Sequence, residues 1–328
     1  VFLKSESRRY YPGGEITAQL IGITNIDDVG IEGVENAYNS WLTGTPSKQK
    51  VRKSRDGHVV ERLDIVQEGE SPNDLVLSID HRIQQLAYRE LKRTTEMNQA
   101  TSGSIVVLDI HTGEVLAMAN TASFNPNSRD NFQTFRMRNR AMTDTFEPGS
   151  TIKPFVVAAA LEAGTVKSTD VIPTSPGWMR LGGRQVRDAS NYGDMTLARI
   201  LAKSSNVGIS KLALSIPVQQ LLGTYQSMGL GSFSGINLTG ESAGLIQDRH
   251  RWSDFERATL SFGYGLTATT LQLARMYATL GNGGTLYPVS ILKLKKPLVS
   301  LAAFFWCQAT FPDSLQHRDQ LFSTTASY

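Results

Sequence analysis

Phe155 to Leu161 reads Phe-Val-Val-Ala-Ala-Ala-Leu, seven apolar residues in a row within a stretch, Ser150 to Ala163, that predicts a helix. Gly164 follows and suits a C-terminal cap. A helix this apolar has to be covered by the rest of the chain. With 328 residues and an apolar fraction of 40%, there is ample chain for a core. The charged fraction of 19% lies below the roughly 25% typical of soluble proteins, which excludes disorder as a whole. The length suits one large domain or two smaller ones.

Around that helix the chain divides by character. Residues 1–70 read as an irregular, strand-rich module. Asp56-Gly57, between Val51–Arg55 and His58–Leu63, is the signal for a tight hairpin. The basic run Lys48, Lys50, Arg52, Lys53 and Arg55 reads as a solvated hairpin face rather than a nucleic-acid patch. The polar, breaker-rich Glu68–Asn73 marks a boundary. Beyond it the sequence predicts a helix from an Asp80 N-cap to Met97 and a hairpin of Ser104–Ile110 and Glu114–Ala119. Further helices are predicted over Thr196–Lys203, Val207–Leu214 and Ala268–Leu280. Strands and helices alternate without regular βαβ spacing, so the expected class is α+β, helices on an antiparallel sheet. From about Lys295 the character changes, and residues 295–328 read as a tail that does not continue the preceding domain.

Several function classes fall away. A net charge of +3 is too small to imply nucleic acid as a partner. One Cys excludes an internal disulfide framework and a thiolate metal site. The five His include no pair at helical ligand spacing, so no cofactor or metal is expected. Leu298–Cys307, the most apolar run, is ten residues long, against the roughly 20 needed to span a bilayer. Residue 1 is Val and no signal peptide is visible, so the chain is expected to be a processed or partial product without an anchor.

The pattern Ser-x-x-Lys comes first among candidate chemistries, because a Lys one turn from a Ser can act as its base. It occurs at Ser47/Lys50, Ser150/Lys153 and Ser290/Lys293. Only Ser150 follows a Pro148-Gly149 turn and opens the long apolar helix. The positive end of the helix dipole would stabilise a developing Ser150 oxyanion. That field, with burial, would lower the Lys153 pKa and favour a neutral amine. The motif alone fits equally a capping Ser beside a surface Lys. Ser-x-Asn occurs at Ser71/Asn73, Ser123/Asn125 and Ser204/Asn206, and only the last falls after Ser150, between two predicted helices. It too has a plain alternative, a helix–helix turn with a capping Asn. Gly240-Glu241-Ser242-Ala243-Gly244 matches a nucleophile elbow but lacks a helix start after it. Gly263-Tyr264-Gly265 with Ala268 mimics a dinucleotide loop but lacks a buried strand before it.

Taken together the chain resembles the class B penicillin-binding proteins, specifically the septal peptidoglycan transpeptidases of cell division. Early matching stretches are Arg8-Arg9-Tyr10-Tyr11-Pro12, Gly30-Ile31-Glu32-Gly33-Val34-Glu35, Ser78-Ile79-Asp80 and Thr112 to Met118. Later ones are Phe146 to Pro154, Lys203 to Gly208, Arg251-Trp252-Ser253-Asp254 and Phe262-Gly263-Tyr264-Gly265. The likeness covers about residues 5–294. It implies a transpeptidase fold over residues 71–294 preceded by part of a pedestal module in residues 1–70. Ser150 would be the acylated nucleophile, Lys153 its base, and Ser204 and Asn206 the second active-site motif. Ser150 Oγ and Lys153 Nζ should then lie within hydrogen-bond reach, with Ser204 and Asn206 lining the same cleft. The implied partners are peptidoglycan stem peptides ending in D-Ala-D-Ala, β-lactams and division-complex membrane proteins. The implied place is the inner membrane, with this domain in the periplasm.

One element of the family pattern is missing. No Lys-Thr-Gly occurs in the 328 residues, and His111-Thr112-Gly113 precedes the nucleophile in a hairpin turn and cannot replace it. The chain is therefore expected to be a C-terminally truncated or frameshifted copy, impaired in acylation, with the Ser104–Ala119 hairpin short of sheet neighbours. Two rival readings stay open. One is a hydrolytic relative such as a carboxypeptidase or β-lactamase. The other is a non-catalytic interaction protein of the division complex.

Overall fold

The structure is a computed structural model that describes residues 9–128, 133–247, 249 and 251–294. The expected tail at 295–328 lies outside the described residues. The chain opens with short helices α1 (Ala18–Ile21), α2 (Gly33–Ala37) and α3 (Asn39–Thr43), then a ribbon of β1 (Lys48–Lys53) and β2 (Val59–Gln67). The expected hairpin is present, and its turn spans Ser54–Gly57, with Ser54 N–H donating to His58 O and Gly57 at φ +83°. Among the described residues of the module the ribbon is the one ladder, accompanied by the isolated antiparallel bridges Thr24–Gly30 and Thr45–Glu70 and by the short helices.

Helix α4 (His81–Met97) begins where expected. Asp80 accepts from the backbone N–H of Arg82 and Ile83, which is the N-cap arrangement. It covers an antiparallel pair, β3 (Gly103–Leu108) and β4 (Val115–Thr121), joined by the Asp109–Gly113 turn. Alternation sorts the two faces. Ile105, Val107, Ala117 and Ala119 pack with Ala87, Tyr88 and Leu91 of α4. Val106, Leu108 and Met118 pack with Met142 of α5 (Arg140–Thr143) and Leu271, which lies on a helix near the end of the described chain. Leu20 and Val34 of the N-terminal helices bury in that same second cluster.

The apolar helix forms as α6 (Lys153–Glu162) and is the centre of the largest core cluster. It is followed by β5 (Val171–Pro173), β6 (Trp178–Leu181), β7 (Arg184–Arg187), β8 (Asp194–Thr196), α7 (Leu197–Ala202), α8 (Asn206–Leu214) and α9 (Val218–Ser227). Next come β9 (Leu245–Ile246), α10 (Asp254–Ser261), β10 (Leu266–Thr267) and α11 (Thr270–Gly281). Phe155, Val156 and Ala160 of α6 are fully buried among Ile200, Ile209, Leu212, Tyr225, Leu260 and Met276 from α7 to α11. The strands pair antiparallel as β5 with β8, β6 with β7 and β9 with β10. Among the described residues they form separate two-stranded ladders, not one broad sheet. No described helix is long and apolar enough to cross a membrane.

Among the described residues the β3–β4 hairpin pairs with no further strand, but single residues bond to part of its β4 edge. Asp80 N–H donates to Leu116 O at 2.9 Å and Val115 N–H to Ser290 O at 2.8 Å. The Gln84 side chain then acts as a one-residue strand: its Oε1 accepts from Met118 N at 2.8 Å and its Nε2 donates to Met118 O at 3.0 Å. The same Nε2 reaches Ile16 O at 2.7 Å, tying the N-terminal segment to the sheet. Gln84 is fully buried. Gln84→Ala should therefore cost about 3 kcal/mol in urea denaturation, since it leaves buried backbone groups unpaired and opens a cavity.

Candidate active site

Ser150 lies on a short 3-10 turn, Gly149–Ile152, that runs into α6. Pro154 explains the tight turn. The Ser150 carbonyl would take the N–H of residue 154 in an α-helix, but proline has none, so it accepts from Lys153 N–H instead. At three residues per turn, side chains 150 and 153 eclipse and share one face. Ser150 is exposed at the mouth, whereas Lys153 is only 2% exposed and packs beneath it at the start of α6.

The chain between α7 and α8 supplies the opposite wall. Ser204 N–H donates to Leu201 O and Ser205 N–H to Ile200 O, the bond pair of a Schellman motif closing α7. Ser204 occupies the left-handed position of that motif, φ +54°, where glycine is usual. This turns its carbonyl and hydroxyl toward Lys153. The lysine Nζ donates to Ser204 O at 2.6 Å, Ser204 Oγ at 2.9 Å and Asn206 Oδ1 at 2.8 Å. Ser204 Oγ also lies 2.9 Å from Ser150 Oγ. The four residues singled out from sequence, Ser150, Lys153, Ser204 and Asn206, thus meet at one place. Among the described hydrogen bonds, however, the lysine reaches Ser150 through the Ser204 hydroxyl and not directly. The expected direct pair is replaced by a relay.

Asn206 is held from the other side, its Nδ2 donating to Arg187 O at 3.1 Å. The capping alternative is also resolved. Ser205, not Asn206, caps α8 by accepting from Gly208 N–H at 2.8 Å. Ser205 Oγ donates in turn to Asp188 Oδ2 at 2.7 Å, and Val207 N–H to Asp188 Oδ1 at 2.9 Å. Asp188 therefore braces the whole Ser204–Val207 turn. Sequence reading missed it, because a single aspartate after the β6–β7 hairpin carries no local signal.

Burial pushes the Lys153 pKa down to about 8, with the nearby Asp188 carboxylate working against the shift. At neutral pH a fraction of about one tenth is then free amine, against about one in three thousand for an unperturbed lysine. The arrangement can carry a proton from Ser150 through Ser204 to Lys153. Among the described residues no group of three or more His, Cys, Asp or Glu could hold a metal ion.

The loop dismissed as a dinucleotide mimic lies against this turn. Gly149 N–H donates to Gly263 O at 3.2 Å, and a Cβ on Gly263 would stand 2.2 Å from Gly149 O. Only glycine fits there. Gly240–Gly244 forms no nucleophile elbow, since Ser242 is followed by the short strand β9 and not by a helix.

The sequence matches the penicillin binding protein transpeptidase domain over residues 103–315 and the penicillin-binding protein dimerisation domain over residues 1–77. The chain belongs to the penicillin-binding protein transpeptidase family. It is 49% identical over 315 residues to the peptidoglycan D,D-transpeptidase FtsI of Escherichia coli K12, covering 96% of this chain and 52% of that protein. It is 42% identical over 292 residues to the probable peptidoglycan D,D-transpeptidase PenA of Neisseria gonorrhoeae, covering 88% and 50%. Among solved structures, apo penicillin-binding protein 3 of Mycobacterium tuberculosis superposes with a TM-score of 0.77 at 32% identity, covering 87% of this chain and 61% of that one. The chain spans about half the length of the curated relatives it matches.

The left-handed Ser204 generates a test of the geometry. Ser204→Ala and Ser204→Gly remove the same hydroxyl, but only glycine relieves the backbone. In chemical denaturation the Gly variant should be more stable than the Ala variant by about 1 kcal/mol. Equal stabilities would mean that the turn is not under the strain its φ angle indicates.

Proposed function

We propose that this chain carries the acylating centre of a serine D,D-transpeptidase that cross-links peptidoglycan stem peptides at the division septum. The observation that carries the reading is the Ser150–Ser204–Lys153 relay, two hydroxyls leading from the cleft mouth to a buried lysine of lowered pKa. In this reading Ser150 Oγ attacks the penultimate D-Ala carbonyl while its proton passes by way of Ser204 to Lys153. The tetrahedral intermediate collapses, the C–N bond breaks, and the terminal D-Ala leaves as its amine takes that proton. The amine of a second stem then attacks the Ser150 ester, completing the cross-link and restoring the serine. The dipole at the start of α6 faces the developing negative charge. A β-lactam would acylate the same serine, its ring amide standing in for the D-Ala-D-Ala bond.

The reading extends to residues 71–294 as transpeptidase domain on a 1–70 pedestal, facing the periplasm from an inner-membrane protein. Division-complex membrane proteins would be its partners. The 49% identity to an FtsI transpeptidase supports the division context, and the match to the dimerisation domain supports the pedestal.

Fluorescent penicillin followed by peptide mass mapping tests the centre. With no Lys-Thr-Gly in the 328 residues the adduct should form slowly, sit on Ser150 and vanish in Ser150→Ala, and Lys153→Ala should slow its formation by about a further 10²-fold. Because the base is the free amine, the acylation rate should climb about tenfold per pH unit from about pH 6 and level off above the lysine pKa. A rate that is flat or falling between about pH 6 and 8 would remove Lys153 from the role of base. Rapid release of hydrolysed penicillin, in place of a lasting adduct, would favour the hydrolytic rival.

A further inference from the structure

The Ser150 turn is short of internal bonds. Gly149 enters it at φ +58°, and Pro154 withholds one helical N–H. The approach to the turn is tied from outside at several points. Phe146 and Ala268 exchange two backbone hydrogen bonds of 3.0 Å, Gly265 N–H donates to Glu147 Oε1 at 3.0 Å, and Gly149 N–H reaches Gly263 O. All of these lie N-terminal to Ser150. On its C-terminal side, among the described residues, the backbone tie to a distant segment is a single one: the Tyr277 hydroxyl of α11 donates to Thr151 O at 2.8 Å.

The phenol is well placed to hold that carbonyl. Its ring meets the fully buried Phe155 edge to face, with centroids 5.1 Å apart and planes at 75°. Phe155 lies in the first turn of α6, so the ring is anchored on the helix into which the Thr151 turn runs. A carbonyl oxygen has two lone pairs, so Thr151 can accept the phenol without giving up a backbone partner. Thr151 directly follows Ser150, and a shift of its peptide plane moves Ser150 Oγ against Ser204.

We propose that Tyr277 is a positioning residue that fixes the Ser150 turn from α11 through the Thr151 carbonyl. Its hydroxyl bonds the Thr151 carbonyl and not Ser150 itself. Nothing in the local sequence marks it, since Tyr277 falls in the middle of a helix 127 positions after Ser150. The proposal rests on Ser150 being the nucleophile only for its kinetic consequence, and its structural half is read without acylation.

Tyr277→Phe keeps the ring against Phe155 and removes only the hydroxyl. Hydrogen–deuterium exchange of the purified protein should show the peptide covering residues 149–156 exchanging about fivefold faster than wild type. Under saturating penicillin the acylation rate constant should fall by a similar factor, about fivefold, while the dissociation constant of the complex formed before acylation is unchanged. Tyr88→Phe is the control. It removes another tyrosine hydroxyl bond, to Glu15 at 2.9 Å between α4 and the N-terminal segment, and should move neither reading. Wild-type exchange over 149–156 in Tyr277→Phe would overturn the proposal, whatever acylation shows. Faster exchange with no penicillin adduct in either protein would uphold the brace and count against the transpeptidase reading instead. A slower acylation traced wholly to weaker initial binding would assign Tyr277 to the binding surface and overturn its positioning role.

Discussion

The burial of Lys153 sets the terms for everything around it. An ammonium that is 2% exposed at the head of an apolar helix needs its three N–H groups satisfied by the protein. The three oxygens come from one short stretch, Ser204 and Asn206. To present a carbonyl and a hydroxyl together, Ser204 has to take a left-handed conformation that an L-residue adopts at a cost. The Schellman bonds behind it and the Asp188 carboxylate beneath Ser205 and Val207 hold it there. The compensation is incomplete. Desolvation still prevails and lowers the lysine pKa, which is the property a base needs.

Much of this was legible in the sequence where periodicity and caps are local. The Asp80 cap, the stop at Gly164 and the helices either side of Ser204-Ser205-Asn206 all formed within a residue or two of expectation. So did the meeting of Ser150, Lys153, Ser204 and Asn206, carried by a family resemblance more than by the motifs themselves. Illegible were the interactions made by single side chains across long sequence separations. Gln84 closes a sheet edge in place of a strand, and Asp188 braces a turn from the end of a hairpin. Gly263 falls in a stretch that matches the family, yet nothing in that stretch announces its close contact with Gly149. Pro154 is the instructive case. From the sequence it reads as tolerable, because the first N–H groups of a helix lack intrahelical partners; that its missing N–H leaves the Ser150 carbonyl to Lys153 is seen only with the 3-10 turn.

The N-terminal segment shares its packing with the helix that reaches the site. Leu20 and Val34 share a buried cluster with Met118, Met142 and Leu271, and α11 begins at Thr270 beside the last of these. That helix carries both Met276, in the core around α6, and Tyr277, whose hydroxyl reaches the Ser150 turn. One helix therefore takes packing from the N-terminal segment at its start and bears on the serine turn farther along.

Which hydrogen bonds change when Lys153 loses its proton follows from what each of its partners can do. The Ser204 carbonyl only accepts. Asn206 Oδ1 only accepts as well, and its assignment is secured by Nδ2, which donates to the Arg187 carbonyl and so fixes which end of the amide faces the lysine. A neutral amine has two N–H groups and one lone pair. It can keep both N–H groups on those two acceptors, which leaves the lone pair to face the one partner able to donate, the Ser204 hydroxyl. Once that hydroxyl donates to the amine, its oxygen is free to accept from Ser150 Oγ, 2.9 Å away. Deprotonating Lys153 thus reverses two hydroxyl bonds and moves no heavy atom. The charged and neutral states of the lysine then share one framework, and the left-handed turn at Ser204 serves both.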